Sequence, residues 1–340
     1  MSHADRPGPP TRRPTIVDVA RHARVSPAAV SKVLRDAYGV SPQMRERVHA
    51  SVAALGYRPM VSAQSMRSAT RTLGVSSLNV HNPFITLLLD GVAREADRSR
   101  YSAFITLTDG GAEEQFEAAR SMVDRQMDGL ILITPTMSNE ELQQLSALVP
   151  IVLLGRHGED GSGSYDSVAS DDTLGASLVV DHLVGQGHER IAFHTQSTRS
   201  GGLPEDFREA GYRQAMERHG LVPDVVVGEW TSEGGHRLAG ELMARSRPPT
   251  AVHAGADVAA LGALGWLWER GLRAPADLAV AACDDIPVAS LAPISLTTTD
   301  QRAVEMGQLA TRLLVERLEG RREQAQNVLV EPRLRVRASA

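Results

Sequence analysis

The chain has 340 residues and one cysteine, Cys283. No disulfide can close within it, and a lone thiol suits a reducing compartment. Long apolar runs are missing too. Nothing approaches the ~20 consecutive apolar residues that a membrane helix needs. The opening MSHADRPGPPTRRP is polar and proline-rich, without the apolar stretch of a secretory signal. These absences lead us to expect a cytoplasmic protein with no membrane partner. Enzyme signatures are equally scarce. No G-x-G-x-x-G follows a strand, the G-S-G-S-Y-D run at 161–166 reads as a loop, and there is no G-x-x-x-x-G-K-[ST]. His182, His188 and His194 recur six apart, which fits no helix face and no zinc spacing. Asp284-Asp285 is an adjacent pair, and spacing alone does not make it a general acid and base. We therefore expect no catalytic residue, no metal and no cofactor.

What is present is unevenly spread. The formal net charge is −5, yet residues 1–71 hold 12 Lys+Arg against 4 Asp+Glu, leaving 24 against 37 for the rest. A basic head on an acidic body suits a module that meets phosphates, joined to one that repels them. A chain of this length, 42% apolar, should form two or three packed units.

The basic head reads as three short helices after a disordered tail at 1–13. Thr15 offers an N-cap, with Asp18 as a capping-box partner, and Ile16, Val19, Ala20 and Ala23 form one apolar face. Ser26-Pro27 starts a second helix, buried through Val30, Val33 and Leu34. Ser41-Pro42 starts a third, which runs through Met44, Val48, Val52 and Leu55 to a stop at Gly56. This pattern fits a helix-turn-helix DNA reader, and equally a helical hairpin that binds nothing. The basic excess favours the first.

Here the residues carry a resemblance. TIVDVARHARVSPAAVSKVL followed by VSPQMRERVHASVAALGYRP resembles the headpiece of the lac-repressor (LacI/GalR) family of bacterial transcription regulators. Three departures stand out: Arg24 for a turn glycine, Ala29 for a threonine and Arg35 for an asparagine. A glycine there is favoured where φ is positive, so Arg24 must bear that strain or the turn must differ. The resemblance implies DNA contacts from Thr15, Ser26, Pro27, Ala28, Ser31, Lys32, Arg35 and Ser41. Base hydrogen bonding falls mainly on Lys32, because Pro27 and Ala28 offer only apolar contact. Segment 59–71 resembles the family's hinge, a short helix that forms on operator DNA. Met66 takes the place of its minor-groove leucine, beside Ala63, with Met60 and Gln64 at the asparagine and arginine positions.

From residue 72 short β-rich runs alternate with helical ones. Strands are expected at 72–78, 102–108, 129–134, 151–155, 190–195, 225–230, 251–255 and 278–284, with helices such as 84–98, 113–126, 174–185, 205–219, 234–245 and 258–270 between them. That alternation implies an α/β fold of two doubly wound parallel sheets with a cleft between lobes. The resemblance continues through Asn82-Pro83-Phe84, Asp128–Leu132, Asp171-Asp172, Gly187–Phe193, Arg208 with Gly211 and Tyr212, Gly271–Val280 and Cys283-Asp284-Asp285. It implies a core like the periplasmic sugar-binding proteins. The expected domains are a headpiece at 14–58, the hinge at 59–71 and an effector-binding and dimerisation core at 72–340. Lobe 1 would take about 72–167 and 298–325, and lobe 2 about 168–297 and 326–340.

By the same resemblance the effector contacts are Phe84, Asp171, Arg208, Trp230 and Asp284: two carboxylates, one guanidinium and two aromatic faces, the groups that hold a sugar. Each has a plainer reading, as ion pair, cap or packed ring. Ala256-Asp257 stands where the family often has Asn-Asp, so one amide is missing. A purine is disfavoured, because the arrangement around 200–208 does not match purine-binding members. The expected protein is a repressor that binds a pseudo-palindromic double-stranded operator as a homodimer and answers to a small molecule, a carbohydrate by the resemblance. The alternative is a cytoplasmic sugar-binding protein or an activator with no repressor role; a binding protein of the transport type is opposed by the basic head and the missing signal peptide.

Overall fold

A computed structural model describes residues 14–34, 37–57, 70–78, 80–108, 110–158, 163–196 and 201–340. The expectations for the 1–13 tail, Arg35, and Met60, Ala63, Gln64 and Met66 of the hinge lie outside these residues. The chain divides into two compact units, Met1–Thr70 and Arg71–Ala340.

In the first unit α1 (Ile16–Ala23), α2 (Pro27–Leu34) and α3 (Pro42–Leu55) enclose Val19, Ala20, Ala23, Val30, Val33, Val48 and Tyr57. Both halves of the capping box form: Asp18 N–H donates to Thr15 Oγ1 at 3.4 Å, and Thr15 N–H to Asp18 Oδ2 at 2.9 Å. Ser26 Oγ accepts from Ala29 N–H at 3.2 Å, and Ser41 Oγ from Met44 N–H at 3.3 Å. Arg24 does take the left-handed conformation, φ 56° and ψ 48°, where glycine would be unstrained. Its N–H closes α1 on the Ala20 and Arg21 carbonyls. His22 Nδ1 lies 3.0 Å from Ser51 Oγ and ties α1 to α3.

The second unit contains two six-stranded sheets. Lobe 1 holds β1 (Thr72–Ser77), β2 (Ser102–Leu107), β3 (Gly129–Ile133), β4 (Ile151–Leu154), β5 (Asp166–Ser170) and β11 (Asn327–Val330), in the order β11-β5-β4-β3-β1-β2, all parallel. Both faces of the inner strands β1, β3, β4 and β5 are buried, as crossover helices require, while edge strand β2 is largely exposed. Ile131 and Ile133 face the core under α4 (Pro83–Arg98) and α11 (Ala303–Leu318). Leu130 and Leu132 pack toward α5 (Ala112–Asp124) and α6 (Asn139–Ser146). Helices α4 and α11 touch backbone to backbone: a Cβ on Gly91 would lie 2.1 Å from the Val304 carbonyl oxygen.

Lobe 2 holds β6 (Ile191–Thr195), β7 (Asp224–Val227), β8 (Ala251–Ala254), β9 (Ala279–Cys283), β10 (Thr297–Asp300) and β12 (Arg333–Arg335), in the order β12-β10-β9-β8-β6-β7. Only the β10–β12 pair is antiparallel. Its helices are α7 (Asp172–Gly185), α8 (Pro204–Arg218), α9 (Ser232–Met243) and α10 (Asp257–Glu269), with a 3-10 turn at Pro287–Ser290.

The chain passes between lobes at Asp171, at Gln301-Arg302 and at Glu331-Pro332. These points correct the expected lobe boundaries. Strand β5 keeps residues 168–170 in lobe 1, β10 keeps 298–300 in lobe 2, and β11 returns 327–330 to lobe 1. Strands β5, β10, β11 and β12 are not among the expected strands. DSVAS and TTTD are short and polar, so no apolar run marks them, yet both are buried because each lies inside its sheet. Among the described residues no helix is long and apolar enough to cross a membrane.

Two histidines of lobe 2, His194 and His253, are sealed inside the lobe, and His194 has a ring nitrogen set against the Gly228 backbone. Burial lowers the pKa of His194 to about 4 and of His253 to about 3. The unfolded chain takes up these protons near pH 6.5 and the folded one does not, so their contribution to stability is complete above pH 6.5 and falls as pH drops toward 4. At pH 4 the loss is roughly 3 kcal/mol per ring. Thermal melts from pH 7.5 to 4.5 should record the fall, and two histidine Cε1–H resonances should stay untitrated down to pH 5.

Candidate functional site

In lobe 2 a cluster of groups converges at the carboxyl ends of the strands, where open α/β folds place their ligands. Between the lobes lies a cavity of about 640 Å³. Lobe 1 lines it with Ser77 at the end of β1, Asn82 and Phe84 at the start of α4, and Thr134 and Thr136 after β3. Lobe 2 contributes Gln196 after β6, Glu205 and Arg208 of α8, Trp230 after β7, Ala256 after β8 and Asp284 after β9.

Among the described residues Arg208 is the one cation buried in this wall, and it is 4% exposed. Its Nε donates to Asp172 Oδ1 at 2.8 Å, its Nη1 donates to the Gly255 carbonyl at 2.5 Å, and Asp284 Oδ1 lies 3.8 Å from Nη1. Burial opposes its charge, but Cys283, Asp172 and Asp284 together hold its pKa above the ordinary value. The guanidinium carbon lies 5.0 Å from the centre of the Trp230 ring. That ring is fixed by its Nε1–H, which donates to the His194 carbonyl at 3.2 Å. Gly255 makes the room: a Cβ there would meet the indole at 2.2 Å.

Asp284 sits on strained backbone. Its φ is 135°, and that of Asp285 is 51°. Asp257 holds the bend by accepting from Ile286 N–H at 2.9 Å and from Thr298 Oγ1–H at 2.5 Å. Burial raises the pKa of both carboxyls of this pair. Asp284 accepts from Gln301 Nε2 at 2.6 Å, and across the cleft from Asn82 Nδ2 at 3.1 Å. A second tie joins the lobes at the cleft edge. His157, after β4, stacks on Phe207 of α8 with ring centres 3.6 Å apart, and its Nε2 lies 2.9 Å from Asp172 Oδ2.

The structure thus brings Phe84, Arg208, Trp230 and Asp284 to one cavity. Asp171 is not part of it. This residue caps α7, accepting from Leu174 N–H at 2.9 Å, and its neighbour Asp172 is the carboxylate that Arg208 requires. Sequence reasoning passed over Asn82, Gln196 and Glu205. Glu205 had a signal, since it lies three residues before Arg208 on one helix and so shares its face. Asp257 is buried and structural, and Ala256 lines the cavity without a polar group.

In the first unit Pro27, Ala28 and Lys32 are exposed on α2, and Ser31 is half-buried. Thr15 and Ser41 cap their helices. Lys32 is the only lysine in the chain, the other 35 basic side chains being arginine. Among the described residues no group of three or more His, Cys, Asp or Glu is placed to hold a metal ion.

Replacing Arg208 by methionine would leave two buried carboxylates without their cation. Urea melts of the full chain should then show the core unit destabilised by about 3–5 kcal/mol.

Comparison with known proteins follows these parts. The profile of the bacterial regulatory proteins of the lacI family matches residues 15–60, and that of a periplasmic binding protein-like domain matches residues 180–340. The chain is 33% identical to the ribose operon repressor of Escherichia coli (strain K12), over 96% of this chain and 99% of that one. It superposes on the lac repressor dimer bound to operator and an anti-inducer with a TM-score of 0.83 and 26% identity, covering 96% of this chain and 99% of that one. A transcriptional regulator in complex with cellobiose gives a TM-score of 0.72 and 28% identity, over 96% of this chain and 100% of that one. An end-to-end relationship at this identity, with a helix-turn-helix unit and a two-lobed core in one chain, places the protein in the lacI family of bacterial regulatory proteins, DNA-binding regulators under the control of a small ligand.

Proposed function

We propose that the protein is a cytoplasmic transcriptional repressor, not an enzyme, whose affinity for a pseudo-palindromic operator is set by a carbohydrate bound between Phe84, Trp230, Arg208 and Asp284. One observation carries the reading: the Asn82–Asp284 hydrogen bond spans the cavity, joining the two lobes at a carboxylate that a ligand hydroxyl would also seek. A ligand that takes over Asp284 must replace or break this bond, so it binds one lobe arrangement better than the other. Such a preference is what a ligand needs to shift an equilibrium. By linkage the same coupling changes DNA affinity. A repressor named for the ribose operon and a regulator holding cellobiose support the carbohydrate class. Trp230 and Phe84 supply faces for a sugar ring, while Arg208 and Asp284 supply a donor and an acceptor for its hydroxyls.

On DNA, α2 is the reading helix. Pro27 and Ala28 contribute apolar contact, Ser31 and Lys32 the hydrogen bonds, and Thr15, Ser26 and Ser41 set helix starts that face phosphates. The described residues also present surfaces for pairing two copies. Edge strand β2 exposes Phe104, Ile105 and Leu107, and lobe 2 exposes Trp268 and Leu291 beside an apolar cavity of about 950 Å³. An apolar sheet edge left open invites aggregation, and a symmetric partner would cover it.

Two measurements test this reading. Lys32→Ala should lower operator affinity in fluorescence anisotropy and narrow the gap between specific and scrambled sites by about 1–3 kcal/mol; an unchanged gap would remove Lys32 from base reading. Paired Phe104→Glu and Trp268→Glu substitutions should turn a dimer into monomers in sedimentation velocity, and operator binding should weaken with it.

A further inference from the structure

The cleft wall carries more acid than its guanidinium can neutralise. Arg208 is matched by Asp172 and Asp284, and Glu205 is left over. The Glu205 residue is 6% exposed and lines the cavity from the first turn of α8. Its carboxylate accepts from Gln196 Nε2 at 3.3 Å and from its own backbone N–H, and Gln196 lines the same cavity. Burial raises the pKa of this carboxyl, with Arg208 pulling the other way. A buried carboxylate held by neutral donors weakens the fold relative to an apolar residue of similar volume.

Its position has a second consequence. A helix N-terminus is by default an anion site, with free N–H groups and a positive dipole end. The N-termini of α8, α9 and α10 all border this cavity, and each has a carboxylate in its first turn: Glu205, Glu233 and Asp257. Glu205 and Glu233 line the cavity directly. At α8 and α9 lobe 2 thus sets its own carboxylates beside the places where a ligand phosphate would settle.

We propose that Glu205 sets the charge class of the effector: it accepts, with Asp284, from hydroxyl or amine groups of a neutral or amino-bearing polyol, and it turns away ligands that present a phosphate or carboxylate to α8. The inference rests on the cleft being the effector site. Specificity here is a difference of affinities, and a fixed like charge supplies the unfavourable half of it.

The test uses the full chain. Thermal shift and then calorimetry compare D-ribose and D-glucose with ribose 5-phosphate and glucose 6-phosphate, in wild type and in Glu205→Gln. The neutral sugar that binds should do so at least about tenfold more tightly than its phosphate ester, and Glu205→Gln should shrink that ratio by about tenfold through a gain for the ester. An ester that binds wild type as tightly as its parent overturns the inference and leaves the sugar cleft standing. So does a ratio that Glu205→Gln leaves unchanged. If neither sugars nor esters bind, the reading of the cleft fails and takes this inference with it. Should Glu205→Gln not fold, the wild-type ratio decides alone.

Discussion

The regulatory core depends on one buried guanidinium. Arg208 has been taken almost wholly out of water, which costs several kcal/mol unless its charge and donors are matched. The matching groups come from three separate places in lobe 2: Asp172 at the start of α7, the Gly255 carbonyl after β8, and Asp284 after β9. Each is brought there by a different strand–helix unit. The ion cluster can therefore form only when the sheet has its full order, and it ties the cavity wall to the integrity of the lobe.

The two carboxylates that satisfy Arg208 are also the two that touch lobe 1. Asp172 is shared with His157, and Asp284 with Asn82. Neither acid can be drawn toward a ligand without altering what the other lobe holds. The strain at Asp284 and Asp285 belongs to the same arrangement. Positive φ angles at two successive non-glycine residues are unfavourable, and Asp257 and Thr298 are spent on keeping them so. What the strain secures is the aim of the Asp284 carboxylate at Asn82, Gln301 and the cavity.

Much of this was legible in the sequence wherever local chemistry decides. Thr15, Ser26 and Ser41 announce their helices, and apolar periodicity marks the strands whose two faces are both buried. Arg24 was flagged as a residue in a glycine's place, and its φ of 56° bears that out. The illegible parts are those that tertiary context decides. DSVAS and TTTD look like loops, yet they are interior strands, because their neighbours supply the apolar cover. Three crossings between lobes occupy one or two residues each, too short to leave a compositional mark. Asp171 and Asp172 are chemically alike, and only the first turn of α7 decides which of them caps and which turns inward to Arg208.

The same distinction bears on the DNA side. A chain with 35 arginines has a solitary lysine, and it stands exposed on α2. Arginine presents a rigid planar fork suited to two acceptors at once, whereas lysine is a compact charge on a flexible stem. Pro27 and Ala28 lead the helix and cannot donate from their side chains, so Lys32 is the one charged donor on α2. On the proposed reading, recognition leans on one adaptable donor, which separates bases less sharply than a bidentate fork would. The same proposal assigns more of the sequence preference to DNA shape and deformability than an arginine at this position would.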